Sequence, residues 1–381
     1  MKPESRILVS GAGVAGLTAV IGLARHGLRP VVVEHAPDVR ADGYIISLSH
    51  RSYRYAESLG LLPAINERLA GVTHSSYHRG ASALLELDYT RLFDGVEVLQ
   101  IMRDDLQDIL WQEARNLADF RFGTSIAAID DGGDAARVTF GDGREETFDA
   151  VIGADGAHSN VRQLCWRPDE VTERHLGLCC AAYRLPNIAG LSHKFETHME
   201  RDRYMVLFTT PQGGLAAVFV WASTLAAAPP PAARAEVLRH AYADTGPLAR
   251  RVLEHCPADG AFYMDPLVQI RLGDWYRGRA ALIGDAAHTL TLISGQGATM
   301  AFTGACALVD QLVRHDDLAT AYAAYQADLQ GLVFDVQDRT RAASRWYVPR
   351  SWWRQNARDL GMRLFPVGFF ERYFKTKYSR A

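Results

Sequence analysis

The stretch ILVSGAGVAGLTAVIGLARHGLRPVVVE, residues 7–34, has a β-rich run at each end, with a glycine turn and an apolar helix-forming segment between them. This order predicts a strand, a turn, a helix and a second strand over residues 6–34, the βαβ unit of a nucleotide-binding sheet. Residues 7–24 carry no charge and therefore also look like a membrane span. The spacing of the glycines and the β-rich run after them favour a buried unit instead, so we expect no membrane span.

Each glycine of this turn has its own physical role. Gly11 permits the tight turn, Gly13 lets the backbone approach a pyrophosphate, and Gly16 allows the helix to pack closely against the strand. The helix N-terminus, which includes Ala15, supplies N–H donors and partial positive charge. Glu34 stands 18 residues beyond Gly16, where a carboxylate would bind an adenosine ribose hydroxyl and disfavour a 2′-phosphate. The turn therefore predicts a dinucleotide, FAD or NAD, rather than NADP.

Length and composition limit the class of protein. The chain has 381 residues, of which 48% are hydrophobic, enough for about two domains with a sizeable core. A net charge of −3 gives no general attraction to nucleic acid, so we expect small-molecule partners and no nucleic acid. The five cysteines form neither an even disulfide framework nor a C-x-x-C metal pattern. We therefore expect no metal site and a reducing, cytoplasmic location.

Two more clusters of glycine and aspartate follow predicted buried strands. Gly153-Ala154-Asp155-Gly156 follows Val151-Ile152, and Gly284-Asp285-Ala286-Ala287-His288 follows a strand predicted over 279–283. Gly295-Gln296-Gly297 comes shortly afterwards, before a mostly helical region that begins near residue 298. The order of the three clusters indicates one long cofactor that contacts distant parts of the sequence.

The second cluster extends through Ala157-His158-Ser159-Asn160-Val161-Arg162, and the third is preceded by Trp275, Gly278 and Arg279. With these motifs in this order, the chain resembles the group A flavoprotein monooxygenases, the family of para-hydroxybenzoate hydroxylase. Among them it looks most like the compact members that modify tetracycline or tailor natural products. The resemblance runs over nearly the whole chain and implies that the cofactor is FAD.

By this resemblance, the cofactor-binding residues extend beyond the first turn. The ADP half of FAD would be held by the first turn and the acid after it, that is by Gly11, Gly13, Gly16 and Glu34.

Arg103 matches a family arginine that contacts the cofactor, and Asp155 and Gly156 match a motif associated with both FAD and transient nicotinamide binding. Asp285 would hydrogen-bond the ribityl chain or ribose. The backbone of Gly295-Gln296-Gly297 would face the flavin N1 and C2 carbonyl, where negative charge appears on reduction.

The implied fold class is α/β, with a Rossmann-like FAD-binding domain of the para-hydroxybenzoate hydroxylase (GR2) type. A substrate domain on a mostly antiparallel sheet interrupts it, and helices follow at the C-terminus. We expect the FAD domain to comprise 1–70, 100–172 and 270–345, and the substrate domain 71–99 and 173–269. Residues 346–381, whose end is basic and aromatic, would bridge the domains or cover the substrate entrance rather than lie on a membrane.

The implied activity is an FAD-dependent, NAD(P)H-consuming monooxygenase that inserts one atom of O2 through a C4a-hydroperoxyflavin. The expected substrate is an aromatic or polycyclic, natural-product-like molecule, and NADPH or NADH would bind only transiently. An epoxidase, a Baeyer-Villiger-type oxygenase and a flavin reductase or dehydrogenase without oxygen insertion remain alternatives, as does a non-enzymatic FAD-binding protein. A flavin-dependent halogenase is disfavoured, since the sequence has no W-x-W-x-I-P motif.

Two positions depart from the family pattern. Leu292 stands where proline usually follows the Gly-Asp motif, and Thr299 stands where asparagine is usual. Because proline fixes φ, Leu292 implies a differently restrained loop on the reactive side of the flavin. His288 is expected to pack or to fix the loop, not to act as a base.

The catalytic residues cannot be named from this sequence. Aromatic and basic residues in the predicted substrate domain and near the first domain are candidates for a substrate pocket, although ordinary sheet packing explains any one of them equally well. These candidates are Tyr44, Tyr183, Arg203, Tyr204, Phe219 and Trp221.

Overall fold

A computed structural model describes residues 4–37 and 43–379, apart from the side chains at 377 and 379. Residues 1–3, 38–42, 380 and 381 of the predicted ranges lie outside this description. The strands, in chain order, are β1 (Ile7–Ser10), β2 (Val31–Glu34), β3 (Ile45–Ser49), β4 (His74–Arg79), β5 (Ser82–Asp88), β6 (Val98–Met102), β7 (Asp119–Phe122), β8 (Ile126–Asp130), β9 (Ala136–Phe140), β10 (Glu145–Phe148), β11 (Ala150–Gly153), β12 (Val171–Leu185), β13 (Lys194–Met199), β14 (Arg203–Thr209), β15 (Leu215–Ala222), β16 (Tyr263–Leu272), β17 (Tyr276–Arg277) and β18 (Ala280–Leu282).

The α-helices, in chain order, are α1 (Val14–Arg25), α2 (Arg51–Ser58), α3 (Leu62–Asn66), α4 (Tyr89–Leu92), α5 (Arg103–Ala114), α6 (Asn160–Cys165), α7 (Pro231–Ala241), α8 (Pro247–Glu254), α9 (Asp285–His288), α10 (Gly297–Arg314), α11 (Leu318–Tyr347), α12 (Trp352–Leu364) and α13 (Val367–Ser379). Short 3-10 turns cover Pro168–Glu170 and Leu292–Ser294. The helices α7 and α8 are separate, since Gly246 and Pro247 interrupt the helical stretch between them. A proline lacks the N–H that a helix interior needs and is tolerated at the start of a helix.

The first large sheet carries the predicted βαβ unit. Its strand order is β17-β18-β11-β1-β2-β7, and all neighbours are parallel except β17 and β18. The strands β1, β11 and β18 are fully buried, as expected for a parallel sheet covered on both faces. The helices α1 and α10 pack on it, so the largest hydrophobic core lies here.

The second large sheet has the order β16-β12-β15-β14-β13-β4-β5 and is antiparallel except for the pair β4 and β13. One face packs against α7 and α8 in a separate core. The other face packs toward β3, the loop around Leu292 and the end of α11. The mixed α/β fold with a mostly antiparallel second sheet and C-terminal helices is therefore confirmed.

The two large sheets are drawn from different parts of the chain, and the division into domains remains a proposal. The strand β12 begins at residue 171 and β16 ends at residue 272, so both extend slightly past the limits expected at 173 and 269. Within the described residues, no helix is both long and apolar enough to cross a bilayer.

Candidate functional site

A cleft of about 400 Å³ lies between the two large sheets, and residues of all three glycine clusters line it. The topology explains this meeting, because β18, β11 and β1 are adjacent parallel strands and each cluster follows the carboxyl end of one of them. Ligands of open α/β sheets bind outside the carboxyl ends of the strands. A larger hollow of about 910 Å³ lies beside Trp221 and α7, and none of the cluster residues lines it.

The glycine turn has the geometry that its three glycines suggest. Gly11 has a φ of +107°, and a Cβ there would lie 2.5 Å from the carbonyl oxygen of Ala154. A Cβ on Gly16 would collide with the carbonyl oxygen of Gly11, whereas a Cβ on Gly13 would meet nothing within 4 Å. Gly11 and Gly16 are therefore required for packing, and Gly13 faces the open space of the cleft, which it lines together with Ala15.

Two helix N-termini open into this cleft. Gly13 is the N-cap of α1 and Gln296 is the N-cap of α10, and neither helix has a side-chain hydrogen bond at its cap. The first N–H groups of a helix need acceptors, and together they favour negative charge. Gly297 also lines the cleft, and a Cβ there would meet nothing within 4 Å. The cleft thus offers two sets of backbone donors to an anionic or carbonyl-bearing ligand.

Glu34 is held at the end of β2 beside the turn. Its carboxylate accepts hydrogen bonds from the N–H groups of Ala12 and Ala36, each at 2.8 Å. A carboxylate has about four acceptor positions, so these two bonds orient the group and leave capacity for a hydroxyl donor. This arrangement fits the role expected of Glu34 toward an adenosine ribose.

Arg103 and Asp285 both line the cleft. Arg103 begins α5, and its N–H donates to the carbonyl oxygen of Tyr44 at 2.9 Å. The Asp285 side chain is exposed to the cleft, yet the cleft lies so deep that desolvation raises the pKa of this carboxyl, while the charge of Arg103 opposes the rise. Among the described residues none donates a hydrogen bond to that carboxylate. The Asp285 carboxylate can therefore accept hydrogen bonds from a ligand bound in the cleft.

Asp155 and Gly156 of the second cluster have different positions relative to the cleft. Asp155 accepts hydrogen bonds from the Ser159 hydroxyl and from the Val161 N–H, the latter at 3.0 Å, and burial raises the pKa of its carboxyl. It therefore fixes the start of α6 and does not line the cleft. Gly156, which has a φ of +80°, does line it.

Arg162 ties the second cluster to the third, a role that the sequence did not reveal. Its guanidinium is buried and donates to the carbonyl oxygen of Ala286 at 2.8 Å and to that of Ala157 at 2.5 Å. Burial lowers the pKa of the Arg162 side chain. The only signal in the sequence was an arginine within the extended second motif.

The loop before α10 is restrained by its own hydrogen bonds instead of by a proline. Leu292 begins a 3-10 turn flanked by Thr291 and Gly295 at φ values of 69° and 64°. The Ser294 hydroxyl donates to the Thr291 carbonyl at 2.8 Å and accepts from the Gln296 N–H at 3.0 Å.

Thr299 anchors the start of α10 to the strand β3. Its hydroxyl donates to the carbonyl oxygen of Ser47 in β3 at 2.6 Å. The two departures from the family pattern thus both take part in holding this loop, and Leu292 also lines the cleft.

His288 lies behind the cleft and not in it. Its ring is 1% exposed and packs against Trp275 with 4.7 Å between ring centroids. Burial lowers the pKa of this imidazole to about 4, so the neutral form is held inside the protein. This position agrees with the packing role expected from the sequence.

Of the aromatic and basic candidates for a substrate pocket, only Tyr44 lines the cleft. Tyr183, Phe219 and Trp221 pack on the opposite face of the second sheet, against α7 and α8. The Tyr183 hydroxyl donates to the carbonyl oxygen of Val252 at 2.9 Å. Arg203 forms ion pairs of 2.6 Å with Glu200 and with an aspartate after α7.

Tyr204 lies on the face of the second sheet that is turned toward the cleft, where it packs near Tyr347. The structure therefore does not bring the six substrate candidates together.

Sequence reasoning missed the wall of the cleft that β16 provides. Tyr263 lies 6.1 Å from Tyr44 between ring centroids, and Leu267 lines the same wall. Asp265 accepts from His158 at 3.4 Å at the edge of the cleft, which raises the pKa of this imidazole. Alternation along 263–267 was the available signal, since every second residue of a strand points to the same side.

Comparison with known proteins gives the following similarities. The sequence profile of the family described as FAD binding domain matches residues 4–317. A flavin-dependent monooxygenase of Legionella longbeachae is 30% identical and the match covers 87% of each chain. An uncharacterized protein of Mycobacterium tuberculosis is 32% identical over 86% of this chain and 90% of that protein.

Solved structures share the fold over the full length. The tetracycline destructase Tet(55) superposes with a TM-score of 0.83 at 25% identity, covering 100% of this chain and 99% of the other. Klebsiella pneumoniae HpxO, complexed with FAD and uric acid, superposes with a TM-score of 0.86 at 20% identity, covering 99% and 97%. The second likeness concerns the fold alone.

Proposed function

The chain belongs to the family of FAD-binding flavoproteins that includes the flavin-dependent monooxygenases, and from this premise we propose a specific reaction for it. The protein oxidises NADPH or NADH and inserts one atom of O2 into an aromatic or polycyclic substrate, most simply as a hydroxyl group. The observation that carries this proposal is the convergence of three glycine clusters and two uncapped helix N-termini on one cleft.

The residues of the cleft fit FAD along its length. The N-terminus of α1 would bind the pyrophosphate next to Gly13, and Glu34 would accept a hydrogen bond from the ribose of the ADP half. Asp285 would accept from the ribityl chain or a ribose hydroxyl, since its carboxylate has no donor among the described residues. When bound, FAD supplies the redox chemistry, accepting a hydride from the nicotinamide and activating O2 for the transfer of one oxygen atom.

The protein contributes electrostatics and exclusion of water. The uncapped N-terminus of α10 stabilises negative charge in the cleft by about 0.3–1 kcal/mol, and by more where water is excluded. Arg103 adds a full positive charge on another wall. The nicotinamide would bind transiently near Gly156, because the sequence has one dinucleotide turn and the first ligand occupies it.

The substrate would lie against the apolar wall of the cleft. Tyr44, Tyr263, Leu267 and Leu292 present aromatic and aliphatic groups there, and such surfaces suit a flat ring system. The likeness to tetracycline destructases at 25% identity supports a polycyclic substrate. A dry wall also protects reactive oxygen chemistry from water.

Three measurements test the proposal. The purified protein is expected to contain flavin that denaturation releases, and to oxidise NADPH or NADH faster when phenols or polycyclic aromatics are present. Mass spectrometry with isotopically labelled O2 should find one labelled oxygen atom in the product. An epoxide or a ring-expanded lactone as the labelled product would show that oxygen is inserted by epoxidation or Baeyer-Villiger oxidation and not by hydroxylation. Formation of peroxide without a labelled product from any compound in the panel would contradict the proposed insertion.

Asp285→Ala tests the assignment of the cofactor site. The variant should retain less FAD after gel filtration than the wild type, because the cleft loses its directed acceptor. Asp134→Ala, which changes an exposed carboxylate that does not line the cleft, is the matched control and should retain wild-type flavin. Equal retention by Asp285→Ala and the control would refute the role of Asp285.

A further inference from the structure

The exposed hydrophobic side chains of this protein are concentrated near its C-terminus. Of twelve large hydrophobic side chains exposed in the described residues, nine belong to the segment 346–373. These nine are Trp346, Trp352, Trp353, Leu360, Leu364, Phe365, Val367, Phe369 and Tyr373. Scattered single residues of this kind are ordinary, whereas a concentrated set marks an interaction surface.

The helix α12 exposes its apolar face to solvent and buries its polar face. Trp353, Leu360 and Leu364 are 56–71% exposed, and with Ala357 they recur at spacings of three and four residues, so they share one face. The opposite face is buried and carries Gln355, Arg358 and Asp359, each at most 7% exposed. A helix that only covered the protein would turn its apolar face inward.

Polar contacts hold α12 in this orientation. Arg79 of β4 forms an ion pair of 2.9 Å with Asp359 and donates to the Asn356 side chain at 3.0 Å. Arg358 bonds Asp359 at 2.8 Å and the carbonyl oxygen of Tyr347 at 3.2 Å. Rotating the helix to bury its leucines would leave these charges unpaired, which is costly in a buried site. The outward apolar face is therefore built in.

The apolar stripe continues into α13. Phe365 stacks on Phe369 with 5.1 Å between ring centroids, and Tyr373 follows one turn later on the same side of the helix. Phe370 and Phe374 of the same helix pack inward against Leu85, Leu87 and Leu92, which fixes the orientation of α13. We call the surface formed by Trp353, Leu360, Leu364, Phe365, Phe369 and Tyr373 the C-terminal apolar face.

The charges on the segment that carries the C-terminal apolar face are mostly positive, whereas the neighbouring strand β5 carries Glu86 and Asp88. The surface cations between residues 345 and 375 include Arg345, Arg354, Arg363, Arg372 and Lys375, whereas Arg350 donates to the carbonyl oxygen of Gly177 at 2.6 Å. Glu371 is the one acid of this segment besides the buried Asp359. The whole chain has a net charge of −3, so this surface differs in sign from the rest of the protein. Arg354 also lies over the ring of Trp353, 5.1 Å from its centroid.

A second copy of the chain fits this surface poorly. An isologous dimer would bring the same patch of both copies together, and a face surrounded by cations would then meet an identical cationic rim. Aromatic side chains with arginine and lysine at their edges are instead typical of helices that lie in the interface of an anionic bilayer. Each of α12 and α13 has 13 residues, about 20 Å, which is too short to span.

Against the expectation from the sequence that this segment does not lie on a membrane, we propose that the C-terminal apolar face docks the protein on the surface of a membrane that contains anionic lipids. The leucines and aromatic rings enter the boundary between headgroups and acyl chains, and the surrounding arginines and Lys375 contact lipid phosphates. The proposal concerns a location and does not depend on the reaction proposed above. Phe369 and Tyr373 also line a cavity of about 500 Å³ that reaches Ile293 and Ser294, so a docked protein would have this cavity beside the lipid.

Vesicle sedimentation with the full chain tests the proposal. The wild type should sediment with vesicles of phosphatidylglycerol and phosphatidylcholine at low salt, should bind pure phosphatidylcholine far more weakly, and should be released as salt increases. Failure to bind the anionic vesicles at low salt would overturn the proposal.

Variants separate the apolar and the charged contributions. Replacing both Leu360 and Leu364 by serine should lower the partition coefficient by about tenfold or more, since two half-exposed leucines no longer enter the lipid. Arg363→Gln and Arg372→Gln should each lower it by about fivefold at low salt. Val313→Ser and Arg115→Gln, which change exposed residues outside the segment 345–375, are controls that should bind like the wild type.

Two outcomes would count against the membrane as the partner. If the leucine double variant retained its circular dichroism and melting temperature but bound anionic vesicles as tightly as the wild type, the apolar face would not be the contact. If sedimentation equilibrium found a wild-type dimer that the same variant converts to a monomer, the face would belong to an interface between two copies.

Discussion

Alanine substitutions at Gly13 and Gly16 should differ in their effect on stability, and Gly13→Ala should weaken cofactor binding in a protein that stays folded. Gly13 has φ of −82° and ψ of −171°, which an alanine adopts without strain, and its added Cβ would meet no atom within 4 Å. Gly13→Ala should therefore leave the flavin-free protein about as stable as before, because the entropic gain of about 0.4–1 kcal/mol is offset by the poorer N-cap that alanine makes. Gly16→Ala would press a methyl group on the Gly11 carbonyl and should lower the free energy of unfolding by about 1–3 kcal/mol.

Gly13→Ala should also weaken the binding of FAD. A methyl group at Gly13 would stand in the open space where the pyrophosphate approaches the backbone. Losing one N–H bond to a charged phosphate costs about 1.5–3 kcal/mol, so the Kd should rise roughly 10- to 150-fold. The loss should appear in a protein that remains fully folded.

Urea denaturation of the flavin-free protein and fluorescence titration with FAD measure the two effects. Gly331→Ala, in the middle of α11 with no atom within 4 Å of the added Cβ, is the control, and it should gain stability without losing affinity. If Gly13→Ala destabilised the flavin-free protein as much as Gly16→Ala, the conclusion that a Cβ at Gly13 meets no other atom would be wrong. Unchanged FAD affinity in Gly13→Ala would place the pyrophosphate elsewhere.

Three further predictions concern residues around the cleft. Arg162→Met should lower the free energy of unfolding by about 2–5 kcal/mol in urea, because the variant leaves two buried carbonyl groups without donors, and an unchanged midpoint would contradict the link between the second and third clusters. Thr299→Val should cost about 1 kcal/mol through the lost hydrogen bond to Ser47 and should weaken flavin retention; retention equal to that of the wild type would show that this bond does not position α10. His288 has a folded pKa of about 4, below the value of about 6.5 in an unfolded chain. The stability that this difference provides is fully present above pH 6.5 and is lost as pH falls through 6.5 toward 4, up to about 3 kcal/mol. His288→Gln should flatten this part of the stability curve while exposed His255→Gln leaves it steep, and equal slopes would contradict the burial argument.

The first cluster was predictable because its information is local. The strands around Gly11, the helix after Gly16 and the acid at Glu34 lie within one βαβ unit, and both the strand periodicity and the glycine spacing specify it. The position of the second and third clusters at the same edge follows from the parallel order β18-β11-β1. The sequence indicated only that they serve one ligand.

The substrate-facing residues were not predictable in the same way. Tyr183, Phe219 and Trp221 share one parity in the register of β12 and β15, so the strands could be expected to place them on a common face. Which face looks toward the cleft depends on where α7 and α8 pack, and strand alternation carries no information about that. The same alternation puts Tyr204 on the other side, near the cleft.

Asp155 illustrates why a motif residue does not always contact the ligand of its motif. A carboxylate after a buried strand suits both a cofactor hydroxyl and the start of a helix, and the sequence leaves both roles open. In the structure its oxygens are used by Ser159 and Val161. The side chain shapes the loop so that Gly156 reaches the cleft.

Arg162 makes the cleft a single preorganised unit. Its guanidinium bonds the carbonyl oxygen of Ala157 in the second loop and that of Ala286 in the third, while Gly11 of the first loop packs against Ala154. The three loops are therefore joined before any cofactor binds, so less conformational entropy has to be lost on binding. This is the physical reason for an arginine at this position, since a shorter or neutral side chain cannot reach both carbonyls with separate N–H groups.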